Sequence, residues 1–162
     1  MTKSLKHTGR RTGAVLVSLL LLLTLAVSAS AAAVKMTVGV RFWRESGDKE
    51  SMADSAVDTT REATLTRQPN GTFTLELPVK QLSSMNMTGS LTGIAIGEVN
   101  YDGTLSGDLS DGTAVLTLKN LPASVLTGDD VNKPLTVTCN IQMDLSVLGE
   151  INTSARMCIW NK

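Results

Sequence analysis

Few side chains in this chain can do chemistry, and the first to consider is a histidine. His7 is the only histidine in the 162 residues, and it lies in a leader that we expect to be removed. The rest of the chain therefore has no Ser-His-Asp or Cys-His arrangement, no histidine general base and no histidine metal ligand. No motif indicates a nucleophile activated by lysine or by a carboxylate. The sequence predicts a protein that binds rather than an enzyme.

The chain also has two cysteines, Cys139 and Cys158, whose thiols can react. In an exported protein such a pair favours a disulfide. If Leu148-Gly149 is the tip of a two-residue hairpin, Cys139 lies directly opposite Cys158, and we predict a bridge between the last two strands. The hydrophobic alternation favours a register one residue away, which separates the sulfurs. In that register Cys139 is a buried free thiol and Cys158 an exposed one.

Three aspartates, Asp102, Asp108 and Asp111, lie close together among glycines. Carboxylates can hold Ca²⁺, but this spacing matches no calcium loop, and Asp-Gly pairs are turn formers. We therefore predict no metal site.

The secondary-structure elements that could hold a site begin after a leader. Four basic residues precede a leucine-rich, uncharged run from Ala14 to Val27, and small residues suited to cleavage follow it, with Ala31 and Ala33 as alternative last residues. This pattern predicts a secretory signal peptide over residues 1–33. The alternative is a retained anchor, although the run is shorter than the roughly 20 residues that span a bilayer.

The predicted mature chain, residues 34–162, has the length of one domain. It carries eleven basic and fifteen acidic residues, a net charge of −4. A negative net charge argues against nucleic acid and anionic membranes as partners. We expect a secreted product, extracellular or associated with the cell wall, that meets a membrane only through its leader.

Strand patterns fill the mature chain. About eight short segments resemble strands, at least four of them alternate apolar and polar residues, and the turn signals Asn70-Gly71 and Asp111-Gly112 stand between some of them. No helical period extends beyond the leader. This pattern predicts an all-β fold, an immunoglobulin-like β-sandwich with one short helical turn, with a small calycin-type β-barrel as the alternative.

The helical turn is predicted from Ser51 to Ala56, with Ser51 as its cap and Asp54 in the acidic position of a capping box. A strand precedes it, and the Asn70-Gly71 hairpin follows. This order, with Ser51-Met52 at the start of the turn, resembles the NEAT domain, a haem-binding β-sandwich of bacterial surface and secreted proteins. The resemblance implies that the turn covers one face of a haem and that the last hairpin, Leu135 to Trp160, holds it.

The chain departs from this family at the iron ligand. Haem-binding members carry a Y-x-x-x-Y motif entering the last strand, and here Gly149 and Thr153 take those places. Methionine thioether is a known axial ligand of haem iron, although methionine is also an ordinary core filler. The resemblance therefore implies Met52 on the turn with Met143 or Met157 on the hairpin.

The site that the resemblance implies also includes Arg156, which pairs with a haem propionate if its side chain faces the slot. We predict a non-catalytic module that binds haem or another porphyrin for iron acquisition. The alternative is a structural or adhesive module that contacts a cell-surface protein or cell-wall glycan.

Overall fold

The computed structural model describes residues 33–84, 87–144 and 149–162. The elements are, in chain order, β1 (Val34–Arg44), α1 (Met52–Ser55), β2 (Ala63–Arg67), β3 (Phe73–Pro78), β4 (Leu82–Ser84), β5 (Met87–Ile96), β6 (Val99–Asp102), β7 (Thr104–Ser106), β8 (Val115–Leu121), a 3₁₀ turn (Ala123–Val125), β9 (Leu135–Met143) and β10 (Glu150–Asn161). The predicted leader lies outside the described residues except for Ala33. No helix in the described part of the chain is long and apolar enough to cross a membrane.

The strands form one antiparallel sheet in the order β4-β5-β9-β10-β1-β2-β3-β8-β7, with β6 paired to β5. The two end strands of this path, β4 and β7, do not pair with each other. β6 and β7 follow one another across Gly103 and pair with β5 and β8, so they join the two edges of the folded sheet. The prediction of an all-β sandwich is confirmed. The strands beyond the expected eight are short ones in the turn-rich stretches.

β1 belongs to both halves of the sandwich. Its residues Val34 to Val38 pair with β2, and its residues Val38 to Arg44 pair with β10. The predicted alternation is confirmed, because Val38, Val40 and Phe42 all lie in the core. Beyond Val38, the edge of β1 that faces away from β10 has no paired strand among the described residues. The helical turn and the cavity described below lie on that edge.

The first hairpin follows the sequence closely. β2 and β3 pair with Leu65 opposite Leu75, and both side chains are fully buried. Gly71 has a φ of +84°, a conformation that glycine adopts without a steric cost. The side chain of Asn70 accepts a hydrogen bond from the Thr72 N–H at 3.1 Å. The turn predicted at Asn70-Gly71 is confirmed.

The last hairpin corrects the prediction for the cysteines. Pairing starts at Gln142 opposite Glu150, which places Cys139 opposite Thr153 in β10. The register differs from a two-residue hairpin by five residues, and an odd shift turns every side chain to the other face. Cys139 thus joins the core, Cys158 lies on the outer face opposite Arg41, and both thiols are free. The predicted disulfide is therefore wrong.

The expected exposure of Cys158 is also wrong, since its side chain is buried. The segment before β9 covers it. Thr127 and Gly128 donate their N–H groups to the Ile159 carbonyl at 3.1 and 3.0 Å, and the Cys158 thiol lies 3.8 Å from the Asp130 carbonyl. This segment takes the place of a strand neighbour where β9 has not yet begun.

Candidate ligand site at the helical turn

The helical turn α1 is anchored to the second half of β1. Ser51 donates its N–H to the Phe42 carbonyl at 2.8 Å, and its hydroxyl accepts the Asp54 N–H at 3.3 Å. The predicted cap at Ser51 is confirmed. Asp54 differs from the capping-box expectation, because its Oδ1 accepts the N–H of Phe42 at 2.8 Å. α1 therefore replaces β2 as the neighbour of β1 at this point.

Asp54 also forms an ion pair. Its Oδ2 lies 3.0 Å from Arg41 Nη1, and the same nitrogen lies 2.6 Å from Glu50 Oε1. The Asp54 side chain is 4% exposed, so its charge is buried but balanced and hydrogen-bonded. Sequence patterns contain no signal for this role of Arg41, Phe42 and Asp54, because their contacts join segments about a dozen residues apart.

Met52, at the start of α1, is half-buried and packs against the core. α1 lies against β10 as well as β1. Within β10, Met157 lies opposite Phe42, the residue that α1 binds. The structure therefore brings Ser51, Met52 and Met157 to the same part of the sandwich. Met157 is 0% exposed, so only Met52 of the two methionines is reachable from solvent.

Met143 lies elsewhere. Met157 is level with Leu135, and Met143 follows eight residues later on β9, which is about 26 Å at the rise of a strand. Its sulfur packs over Gly89, where an added Cβ would lie 2.7 Å from it. Met143 and Met52 do not share a site in this structure.

Arg156 faces away from Met157, since consecutive strand residues point to opposite faces. Its Nε donates to the Arg44 carbonyl at 2.8 Å, Nη1 donates to the Val131 carbonyl at 3.2 Å, and Nη2 donates to the Gly47 carbonyl. The side chain is 19% exposed. The guanidinium holds two loops against β10, and three of its donors are already bonded.

The residues at α1 could ligate the iron of a flat, apolar ligand from one face of that ligand only. Met52 is half-buried, while Met157 is enclosed in the core. Gly149 and Thr153, at the tyrosine positions of the resembled family, supply no aromatic oxygen. Across the described ranges, no three or more His, Cys, Asp or Glu side chains lie close enough together to hold a metal ion.

Comparison with known proteins finds a similar structure but no similar sequence. No protein-family model matches the chain, and no curated protein matches it by sequence. Among solved structures, the chain is similar to a mutant of IsdX2-NEAT5 in complex with heme, with a TM-score of 0.50 and 10% sequence identity. The similarity covers 80% of this chain and 97% of the other. It shows that the chain has the β-sandwich fold of a NEAT domain.

Proposed function

We propose that this chain is a non-catalytic module of an exported protein that binds haem or a related porphyrin at α1 and the adjacent part of β10. The observation that carries the proposal is the position of Met52. It begins a helical turn held against β1 and β10, in a fold similar to a NEAT domain solved with heme. The leader predicted from the sequence supports export.

The chemistry available at α1 supports a ligand held from one side. A flat apolar ligand needs an apolar surface and one fixed ligating or polar group. Met52 supplies both, because its side chain packs partly on the core and its thioether is a known kind of axial ligand to haem iron. Met157, Met143 and Arg156 do not contribute as the chain is folded.

The test is a titration of the purified mature chain with haemin, followed in the visible spectrum. Met52→Ala should shift the Soret band and weaken binding. Met36→Leu is the matched control, because Met36 is also a half-buried methionine packed on the core but lies on the part of β1 that pairs with β2. An unchanged spectrum in the Met52→Ala protein would remove Met52 as the ligand.

A second function, a structural or adhesive module without a small ligand, is consistent with the side chains that the first function leaves unused. Arg156 is bonded to three carbonyls, and both Met157 and Met143 are buried. The hydrogen bonds of Arg156 and the burial of the two methionines stabilise the fold, and neither requires a ligand. If haemin causes no spectral change in the parent protein, this second function stands in place of the first.

A further inference from the structure

Val40 lies in a gap on the edge of β1 that faces away from β10. On that edge Val38 is the last residue to pair with β2, and Phe42 is bonded by Ser51 and Asp54. The N–H and C=O of alternate strand residues point to the same side, so those of Val40 point into the gap. Within residues 33–84, 87–144 and 149–162, no group bonds either of them. The hydrogen-bonded pair that a continuous strand neighbour would form at Val40 is therefore absent on this edge.

A cavity of about 180 Å³ occupies this gap. A cavity of roughly 150 Å³ is large enough to hold benzene, so this one has room for a small organic group. Val38, Val57 and Leu77 are among the residues that give it an apolar lining. Trp160 forms another part of the wall and lies against Gly39, where an added Cβ would be 2.3 Å from the indole ring.

More basic than acidic side chains line the cavity. Arg41, Arg61 and Lys162 line it, against one acidic residue, Asp58. Arg41 is balanced by Asp54 and Glu50, outside the cavity lining. Arg61 donates to the neutral carbonyls of Gly112 and Ala114 at 2.8 and 2.9 Å, and its charge also acts on the nearby Asp58 carboxylate. Among the described side chains, neither Arg61 nor Lys162 has an ion-pair partner within 4.0 Å.

We propose that this gap binds the carboxyl-terminal residue of a peptide, or an N-acyl amino acid with the same groups. The N–H and C=O of one strand residue are complemented by the acceptor and donor of one other residue, as in an antiparallel pair. One carboxylate oxygen of the ligand accepts the Val40 N–H, and the ligand amide N–H donates to the Val40 carbonyl. The remaining negative charge faces Arg61 and Lys162, and a small side chain lies on the apolar lining.

Amide hydrogen exchange and chemical-shift titration of the labelled chain test this site. The Val40 amide should exchange faster than the Phe42 amide in the ligand-free protein and slow when N-acetyl-L-alanine is added. N-acetyl-N-methyl-L-alanine lacks the donor N–H and should bind more weakly. Lys162→Glu should weaken binding by about three-fold, the scale of a solvent-accessible ion pair. Lys119→Glu, an exposed charge reversal outside this cavity, should leave it unchanged.

Two probes distinguish the sources of the ligand. If an acetylated tripeptide ending in alanine binds at least as tightly as N-acetyl-L-alanine, the site accepts peptide ends. If only N-acetyl-L-alanine binds, the ligand is the free small molecule. The proposal is overturned if the Val40 amide exchanges as slowly as that of Phe42 without ligand. It is equally overturned if neither probe shifts residues 38–41 and 57–61.

Discussion

The N–H of Phe42 donates to the Asp54 carboxylate across 2.8 Å, and this bond joins the helical turn to the first strand. Both residues are buried. A buried N–H that loses its acceptor costs about 1–3 kcal/mol. We therefore expect Asp54→Ala to lower the free energy of unfolding by about 2 kcal/mol, measured by urea denaturation.

Asp54→Asn should lower the free energy of unfolding by less than Asp54→Ala, because the amide oxygen still accepts the Phe42 N–H. The effect that remains comes from the lost charge opposite Arg41. Asp129→Ala, an exposed acidic residue, serves as the control and should leave the stability nearly unchanged. Equal stability of the Asp54→Ala and Asp129→Ala proteins would contradict the role of this bond.

Gly39 and Trp160 should be coupled. A Cβ on Gly39 would lie 2.3 Å from two indole carbons of Trp160. Gly39→Ala should therefore destabilise the protein by about 1–3 kcal/mol through overpacking and shift the tryptophan fluorescence. In a Trp160→Ala background the same change should cost almost nothing. A coupling energy near zero in this double-mutant cycle would show that the indole does not lie on Gly39.

Glu76 gives the stability a small dependence on pH. The Thr64 hydroxyl, 2.6 Å away, and then the Lys35 ammonium, 3.0 Å away, hold the pKa of Glu76 below its ordinary value. The stabilisation is complete above the unfolded pKa of about 4.3 and is lost as the pH falls through the lower folded pKa.

The Thr64→Val protein measures this effect. It should be less stable than the parent at pH 7, by about 0.5 kcal/mol or less because the Glu76 side chain is 44% exposed. The difference should shrink by pH 3. Thr66→Val, on the same face of β2, is the control and should show a difference that does not vary between pH 7 and pH 3.

The two cysteines should titrate as free thiols. Denatured, unreduced protein should give two thiols per chain, and a value of zero would indicate the bridge that the register argues against. In the native protein, burial raises the pKa of Cys139 to about 12, so its thiolate is scarce at pH 8. Alkylation of Cys139 at pH 8 should require unfolding.

Features set by near neighbours in the sequence were predictable. The alternation of Val38, Val40 and Phe42, the turn at Asn70-Gly71 and the cap at Ser51 each depend on a few adjacent residues. The partner of Asp54 was not predictable, since it depends on where β1 exchanges β2 for α1. The register of the last hairpin was not predictable either, because the connection is longer than the sequence indicates and its length decides which face each cysteine takes.

The residues of the predicted haem site also differ in whether near neighbours in the sequence determine their positions. Met157 and Arg156 are consecutive in a strand, and alternation alone indicates that they cannot face one slot. Met143 and Met157 lie far apart on the last hairpin because β9 and β10 are long strands paired from Gln142 opposite Glu150. Met52 lies on the helical turn as predicted, because the order of strand, loop and helical turn is a local property. The gap at Val40 left no sequence signal, since it is defined by an absent partner.

Porphyrin binding at α1 and the neighbouring part of β10 can be tested by mapping the contacts in solution. Gallium protoporphyrin IX, a diamagnetic stand-in for haem, can be titrated into the labelled mature chain while backbone amide shifts are recorded. We predict saturation at one porphyrin per chain, with the largest shifts at residues 51–56 and 153–157 and none at the Asn70-Gly71 turn. Absence of shifts, or shifts centred on another part of the sandwich, would contradict binding at this site.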